Sequence, residues 1–235
     1  MKWNYNCRRK QLEDVQSRID LIERTFGNLC SWFGSYHRNL AKCRDKNDLI
    51  AKELNTYATL ENLNMSTKSS LVEFAKHYSS VQDHLDIKID RLRTNVIHPL
   101  STYDQSCKAT KKSIKKTYGA LKKEMQLKKQ LDQYQRHNNH HHVLKNSINN
   151  AAANLSKLSH ELEEQIEVFE RNKLQDIKKI LLSLIGAEID FNTKSLQFLT
   201  CCYNDLESMN EDEDFDVNNI LQHSPLCLPY FEWFE

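Results

Sequence analysis

No glycine or proline interrupts residues 35–98 or 120–185 of this chain. Strands need frequent turns, and turns draw heavily on those two residues. Two uninterrupted stretches of that length leave one fold class open: all-α, built from very long helices. The 235 residues contain four glycines and three prolines, against usual shares of roughly 7% and 5%. A helix of about 65 residues rising 1.5 Å per residue would reach roughly 100 Å. The sequence therefore predicts an elongated molecule.

Apolar periodicity divides the chain into three helices. In the first, Leu12, Val15, Ile19, Ile22, Phe26, Leu29, Phe33, Tyr36, Leu40 and Cys43 step by three and four without a miss, and the register resumes at Ile50, Leu54 and Tyr57. Such a run is a helical seam that needs a partner. The segment ENLNMSTKSS breaks it, and Ser70 with Glu73 reads as a capping box for the next helix, with Ser66 or Thr67 as alternatives. The second helix carries Leu71, Phe74, Tyr78, Val81, Leu85, Ile89, Leu92 and Val96 before Pro99. Apolar spacing continues through Leu100, Tyr103 and Cys107, so the proline should kink this helix without ending it and turn a rod into an arc. RHNNHHHV is a polar break, and a third helix follows, with Leu144, Ile148, Leu155, Leu162, Phe169, Ile180, Ala187, Phe191, Phe198 and Cys202 on one side. The expected organisation is a short extension over residues 1–10, helices over about 11–60, 67–136 and 143–207, and a flexible acidic and aromatic tail over 208–235.

One helix is far more basic than its neighbours. From Val96 to Arg136 there are ten Lys or Arg against three acids. The ten are Lys108, Lys111, Lys112, Lys115, Lys116, Lys122, Lys123, Lys128, Lys129 and Arg136. Lys108, Lys115, Lys122 and Lys129 recur every seven residues, each one position after the seam of Cys107, Ile114 and Leu121, so ammonium groups line one rigid edge. Solvated faces normally alternate in sign. A one-sided row suits an extended anion, either an acidic lipid surface or a nucleic acid backbone.

The net charge of +1 hides a gradient. Residues 1–160 hold 28 basic and 15 acidic groups, residues 161–235 hold 5 and 17, and seven of those acids lie between Asp205 and Asp216. The longest apolar run, ILLSLIGA, is far short of the roughly 20 residues of a membrane span, so membrane contact should be peripheral. The seven cysteines include no C-x-x-C pair and read as reduced packing residues of a cytoplasmic protein; for Cys201 and Cys202 packing outranks the alternative of an acylation site. His137, His140, His141 and His142 lack the supporting Cys or acid of a metal site. No phosphate loop, nucleophile elbow or H-E-x-x-H is present, so neither an enzyme nor a cofactor or small-molecule substrate is expected. Tyr230, Phe231, Trp233 and Phe234, beside two prolines, read as a docking motif or as a strap on the bundle.

Five segments in order resemble one family: FGNLC from Phe26, RDKNDLIAKELNTYA from Arg44, VIHPLSTY from Val96, FERNKLQDIKK from Phe169 and NEDEDFDV from Asn210. Three long helices, a proline kink in the second and lysines beyond it are similar to BAR domains. The segments together resemble the Chibby-interacting BAR-domain family over roughly residues 10–217. The resemblance implies a crescent-shaped homodimer, a six-helix bundle that binds and bends acidic membranes and is recruited to the ciliary base with the coiled-coil protein Chibby. It also implies, less strongly, the mitochondrial inner membrane. The His-rich tip and the aromatic tail depart from the family pattern.

A lone three-helix bundle of this length would leave part of the first helix exposed, so the expected dimer interface is Ile19, Ile22, Phe26, Gly27, Leu29, Phe33, Gly34, Tyr36 and Leu40. The two glycines could serve close approach across the dimer axis or be merely tolerated. The competing reading is a rod-like coiled-coil scaffold whose basic stripe pairs with an acidic protein and never touches lipid. Nucleic acid ranks third, because the stripe offers little aromatic interleaving for base stacking.

Overall fold

The computed structural model describes residues 2–134 and 142–216, with side chains from Tyr5 onward. Four helices follow in order: α1 (Lys2–Leu60), α2 (Met65–Leu92), α3 (His98–Tyr134) and α4 (His142–Glu207). No strand occurs among the described residues. Arg136, His137, His140, His141 and the aromatic tail lie outside them.

Several boundaries differ from expectation for identifiable reasons. Residues 2–10 continue α1, because KWNYNCRRK contains nothing that stops a helix. Pro99 sits just inside α3, preceded by a π-helical turn over Arg93–Ile97 in which the His98 N–H donates to the Arg93 carbonyl. The widened turn removes the clash between the proline ring and the carbonyl four residues back. The ladder thus accommodates Pro99 by gaining one residue per turn.

The start of α2 is not capped by Ser70, which is buried further along the helix with its hydroxyl 3.5 Å from that of Ser208. Instead the Asp214 carboxylate accepts the Ser66 N–H at 3.1 Å and the Thr67 N–H at 2.8 Å. The Asn210 N–H donates to Ser66 Oγ at 2.7 Å. Residues 211–216 are helical, so the expectation that NEDEDFD ends the ordered part fails: this acidic segment supplies a helix cap. In the loop before α2, the Glu61 carboxylate collects the N–H groups of Asn62, Leu63 and Asn64 at 2.9, 2.8 and 3.2 Å.

The chain divides into two compact units. The first comprises Met1–Ser35 and Leu92–Leu184, the second Tyr36–Arg91 and Ile185–Glu235. In the first unit the buried core comprises Ile19, Ile22 and Phe26 of α1, Leu100, Tyr103, Cys107, Ile114 and Leu121 of α3, and Ile148, Leu155, Leu162 and Phe169 of α4. Tyr103 lies edge-on to Phe26 and Phe169, with ring centroids 4.6 and 6.1 Å away, and its hydroxyl donates to Asp176 at 2.7 Å. Asp176 continues the seven-residue row that runs through Leu155, Leu162 and Phe169, so one polar position of a core face is matched by one phenol. Burial, reinforced by that carboxylate, raises the Tyr103 pKa far above its ordinary value. Burial likewise pushes the Cys107 thiol up to about 11, so it is a packing group and not a nucleophile.

The second unit has a core of smaller residues: Ala51 and Ala58 of α1, Ala75, Val81, Leu85 and Ile89 of α2, and Ala187 and Cys202 of α4. A buried lysine joins all three helices. Lys88 Nζ lies 2.8 Å from Glu188 and 4.7 Å from the centre of the Phe191 ring, and the Tyr36 hydroxyl donates to the same carboxylate at 3.2 Å. With its charge paired and its stem against aromatic rings, burial of this lysine is tolerable.

Candidate functional site

The cations of α3 are sorted by where they fall round the helix. Buried Tyr103, Cys107, Thr110, Ile114, Thr117, Leu121 and Glu124 define its inward face. At about 100° per residue, Lys108, Lys112, Lys115, Lys116, Lys122, Lys123 and Lys129 centre roughly 150° away from that face, and all seven are exposed. Lys108 pairs with Asp104 one turn back at 2.7 Å, an exposed pair of little energetic weight. Lys112, Lys115, Lys116, Lys122, Lys123 and Lys129 make no ion pair with any described residue. Like charges four apart on a helix repel by a few tenths of a kcal/mol, so this face carries positive charge that no described acid balances.

Two of the expected residues do not belong to it. Lys111 is half-buried between Asp20 and Glu23 of α1. Its hydrogen bond to Asp20 holds that carboxyl below the usual range, and the two acids raise the lysine in turn. Lys128 bonds to Glu124, which is itself buried, on the inward side near the end of α3. Both corrections have one cause: acids on or facing the packed side of α3 draw these ammonium groups inward.

Gly119 stands in the middle of the exposed row. A Cβ built on it meets nothing within 4 Å, and its φ is not positive. Glycine inside a helix costs about 1 kcal/mol against alanine, and nothing in the surrounding packing requires it.

The expected dimer face also needs revision. Ile19, Ile22 and Phe26 are 1%, 9% and 4% exposed, because α3 and α4 of the same protomer already cover them. Leu29, Phe33, Gly34 and Leu40 are half-buried, while Gly27 and Tyr36 are exposed. A Cβ on Gly27 would meet nothing within 4 Å. In the second unit a different apolar row is open: Ile185, Ile189, Leu196, Leu199, Tyr203 and Leu206 of α4 are 43–69% exposed. They step by three, four and seven along one stripe, roughly 120° from the buried side of α4. Ile50 and Tyr57 of α1 are exposed in the same unit. This α4 row repeats at heptad spacing in the sequence, beside the longer apolar row that the protomer buries.

No group of three or more His, Cys, Asp or Glu among the described residues is placed to hold a metal. No described helix is long and apolar enough to cross a membrane. A groove of about 950 Å³ lies in the first unit beside Leu12, Val15, Leu121, Leu155 and Glu163. Ser156 and Ser159 line it beside His160, but that imidazole pairs with Glu164 at 3.4 Å. The feature of the first unit with a defined chemistry is thus the row of unpaired ammonium groups.

Comparison with known proteins accounts for this architecture. A family model described as "FAM92 protein" matches residues 2–216. The human CBY1-interacting BAR domain-containing protein 1 is 35% identical over 221 residues, which cover 92% of this chain and 76% of that protein. The Danio rerio protein of the same name is 32% identical over 223 residues, covering 93% and 75%. Among solved structures, the Drosophila amphiphysin BAR domain aligns with a TM-score of 0.68 at 14% identity, over 88% of this chain and 94% of that one. The N-terminal I-BAR domain of D. discoideum IBARa aligns with a TM-score of 0.52 at 11% identity, over 92% and 94%. The two solved structures establish the fold, BAR, and the family match over nearly the whole described length establishes kinship: this chain belongs to the FAM92 family.

Proposed function

We propose that this protein is a non-enzymatic, homodimeric BAR module that binds acidic membranes and senses or shapes their curvature through the exposed lysines of α3. The observation that carries this reading is the set of six exposed α3 lysines, Lys112, Lys115, Lys116, Lys122, Lys123 and Lys129, without an acidic partner among the described residues. Each basic residue near an anionic leaflet contributes about 1 kcal/mol, decaying over a Debye length. Six per protomer, doubled by dimerisation, give firm binding even when half of them touch lipid. Curvature dependence follows because a stiff dimer brings all its lysines into range only on a surface that matches their arrangement.

BAR and I-BAR domains form elongated helical dimers. The open row from Ile185 to Leu206, with Ile50 and Tyr57, is the face of this chain suited to that contact, since apolar patches of such extent mark association surfaces. Leu29, Phe33, Gly34, Tyr36, Leu40 and Gly27 of α1 remain further candidates for the contact. The names of the curated relatives point to a partner of the Chibby type. We assign such a coiled-coil partner, and with it a place at the ciliary base during cilium assembly, to this protein. The mitochondrial inner membrane is the lesser alternative.

Replacing Lys115, Lys116, Lys122 and Lys123 together by Glu should abolish flotation with phosphatidylserine vesicles while helicity and dimer mass stay unchanged. Binding retained by this variant would refute the assignment. The scaffold reading predicts instead that the parent protein ignores anionic vesicles altogether.

A further inference from the structure

Five serines of this chain have an acid three residues on: Ser17, Ser70, Ser80, Ser101 and Ser208. The structure separates one from the rest. Ser17, Ser70, Ser80 and Ser101 lie inside α1, α2 and α3, whose backbone is held in a regular ladder, whereas a modifying enzyme must draw its substrate segment out into its own groove. Ser208 lies one residue past the end of α4, in an exposed turn, and Met209 and Asn210 after it are outside any helix. The Ser208 N–H donates to the Asn204 carbonyl at 3.0 Å and the Met209 N–H to that of Leu206 at 3.1 Å, so the α4 ladder ends here on a tightened turn. At about 100° per residue Ser208 stands roughly 160° from Leu206 and 140° from Tyr203. Pairing through the open α4 row would therefore leave it accessible.

The residues downstream point to one class of enzyme. Glu211, Asp212, Glu213 and Asp214 occupy the third to sixth positions after Ser208 without a gap, and the first three of them are exposed. A serine followed by carboxylates is what a kinase with a basic substrate groove selects, through charge-assisted hydrogen bonds from its Arg and Lys side chains. The same turn holds the start of α2. Ser208 Oγ lies 3.5 Å from Ser70 Oγ and donates to the Asp205 carbonyl at 2.7 Å. Asn210 and Asp214, just beyond it, bond to Ser66 and Thr67.

We propose that Ser208 is a phosphorylation site for an acid-directed protein kinase and that its modification uncaps α2. Ser208 Oγ attacks the terminal phosphorus of a nucleoside triphosphate. The Oγ–P bond forms as the bond to the departing diphosphate oxygen breaks, and the hydroxyl proton passes to a base of the kinase. The phosphate brings a charge of about −1.5 to −2 at neutral pH to the C-terminal end of α4, where the helix dipole already disfavours negative charge. It arrives among Glu207, Glu211 and the Asp205 carboxylate, which His77 contacts at 2.7 Å. The 3.5 Å between the Ser208 and Ser70 hydroxyls leaves no room for it. The turn must therefore swing outward, drawing Asn210 and Asp214 away from Ser66 and Thr67.

The test treats the full chain with an acid-directed serine kinase and magnesium ATP, and maps phosphate by mass spectrometry of its peptides. Ser208 should fill before any other serine, and Ser208→Ala should take up none at that position. Glu211→Gln should slow the filling about tenfold, as loss of a hydrogen bond to a charged group would. In the phosphorylated chain, amide exchange at Ser66 and Thr67 should quicken about fivefold, the effect of a lost helix cap. Exchange in Ser208→Ala should not change on the same treatment. Phosphate entering other residues in place of Ser208, none entering the chain, or filling of Ser208 at the parent rate in Glu211→Gln overturns the site. Phosphate on Ser208 with exchange at Ser66 and Thr67 unchanged overturns the uncapping. None of these outcomes bears on vesicle binding, so the membrane-binding reading stands or falls by its own test.

Discussion

Lys111 and Lys112 are adjacent in sequence and about 100° apart round α3. That rotation gives them different work. Lys111 reaches Asp20 and Glu23 and ties α3 to α1, while Lys112 stands in solvent with no acidic partner among the described residues. Half-exposed ion pairs are worth about 0.2–1 kcal/mol each. Lys111→Ala should thus lower unfolding free energy by about 1 kcal/mol in chemical denaturation and leave vesicle affinity unchanged. Lys112→Ala should do the reverse, weakening binding about fivefold if each lysine near lipid contributes about 1 kcal/mol. Affinity lost equally in both variants would mean that the α3 cations are not sorted as the structure places them. The seven-residue lysine spacing exposed the row but could not separate these two, since the acids that claim Lys111 lie some 90 residues earlier on α1. Ile19, Ile22 and Phe26 teach the same lesson. Their periodicity marks them as buried, while whether the covering helix belongs to the same protomer is a tertiary fact.

At the level of elements, helix type and number of long apolar segments were legible, because a chain with almost no Gly or Pro and a sustained period of three and four admits little else. Junctions were not. The start of α2 offers Ser66, Thr67 and Ser70 as local caps, yet the acceptor is Asp214, 148 residues from Ser66. No local pattern announces a cap brought from the far end of the chain. The cap has a pH signature. Partial burial disfavours the Asp214 charge, but the Thr67 hydroxyl and the backbone N–H groups of Thr67 and Ser66 outweigh it and hold the carboxyl below its ordinary value. A depressed folded value stabilises the native state above the unfolded carboxylate value, about 3.9, and the contribution is lost as pH falls through the lower folded one. Asp214→Ala should accordingly speed amide exchange at Ser66 and Thr67 relative to the parent at neutral pH, with the two proteins converging once the pH is low enough to protonate the parent's cap. Equal protection at neutral pH would show that water serves these N–H groups as well.

For the molecule as a whole, charge and apolar surface divide between the two units. The first carries the unpaired α3 lysines, and the second carries the open apolar row of α4 together with the acids after Asp205. In the proposed dimer, pairing through the second unit would bury that row and leave the lysines of both protomers free, so association and membrane binding would be coupled through valency and not through shared residues. The coupling can be measured. Ile189→Glu with Leu196→Glu places four charges in the dimer face, where burying unpaired carboxylates is strongly unfavourable. Light scattering should then report a monomer with helicity retained, since both residues are more than half exposed in the protomer. Its affinity for phosphatidylserine vesicles should fall steeply, because the number of lysines delivered in one binding event is halved and the second set no longer binds at high effective concentration. The salt dependence should fall with it, as fewer cations engage the surface at once. A monomer that binds as tightly as the parent would show that one protomer's lysines suffice and that pairing serves something other than adhesion. A double variant that remains a dimer would move the seam back toward Leu29, Phe33 and Leu40 on α1.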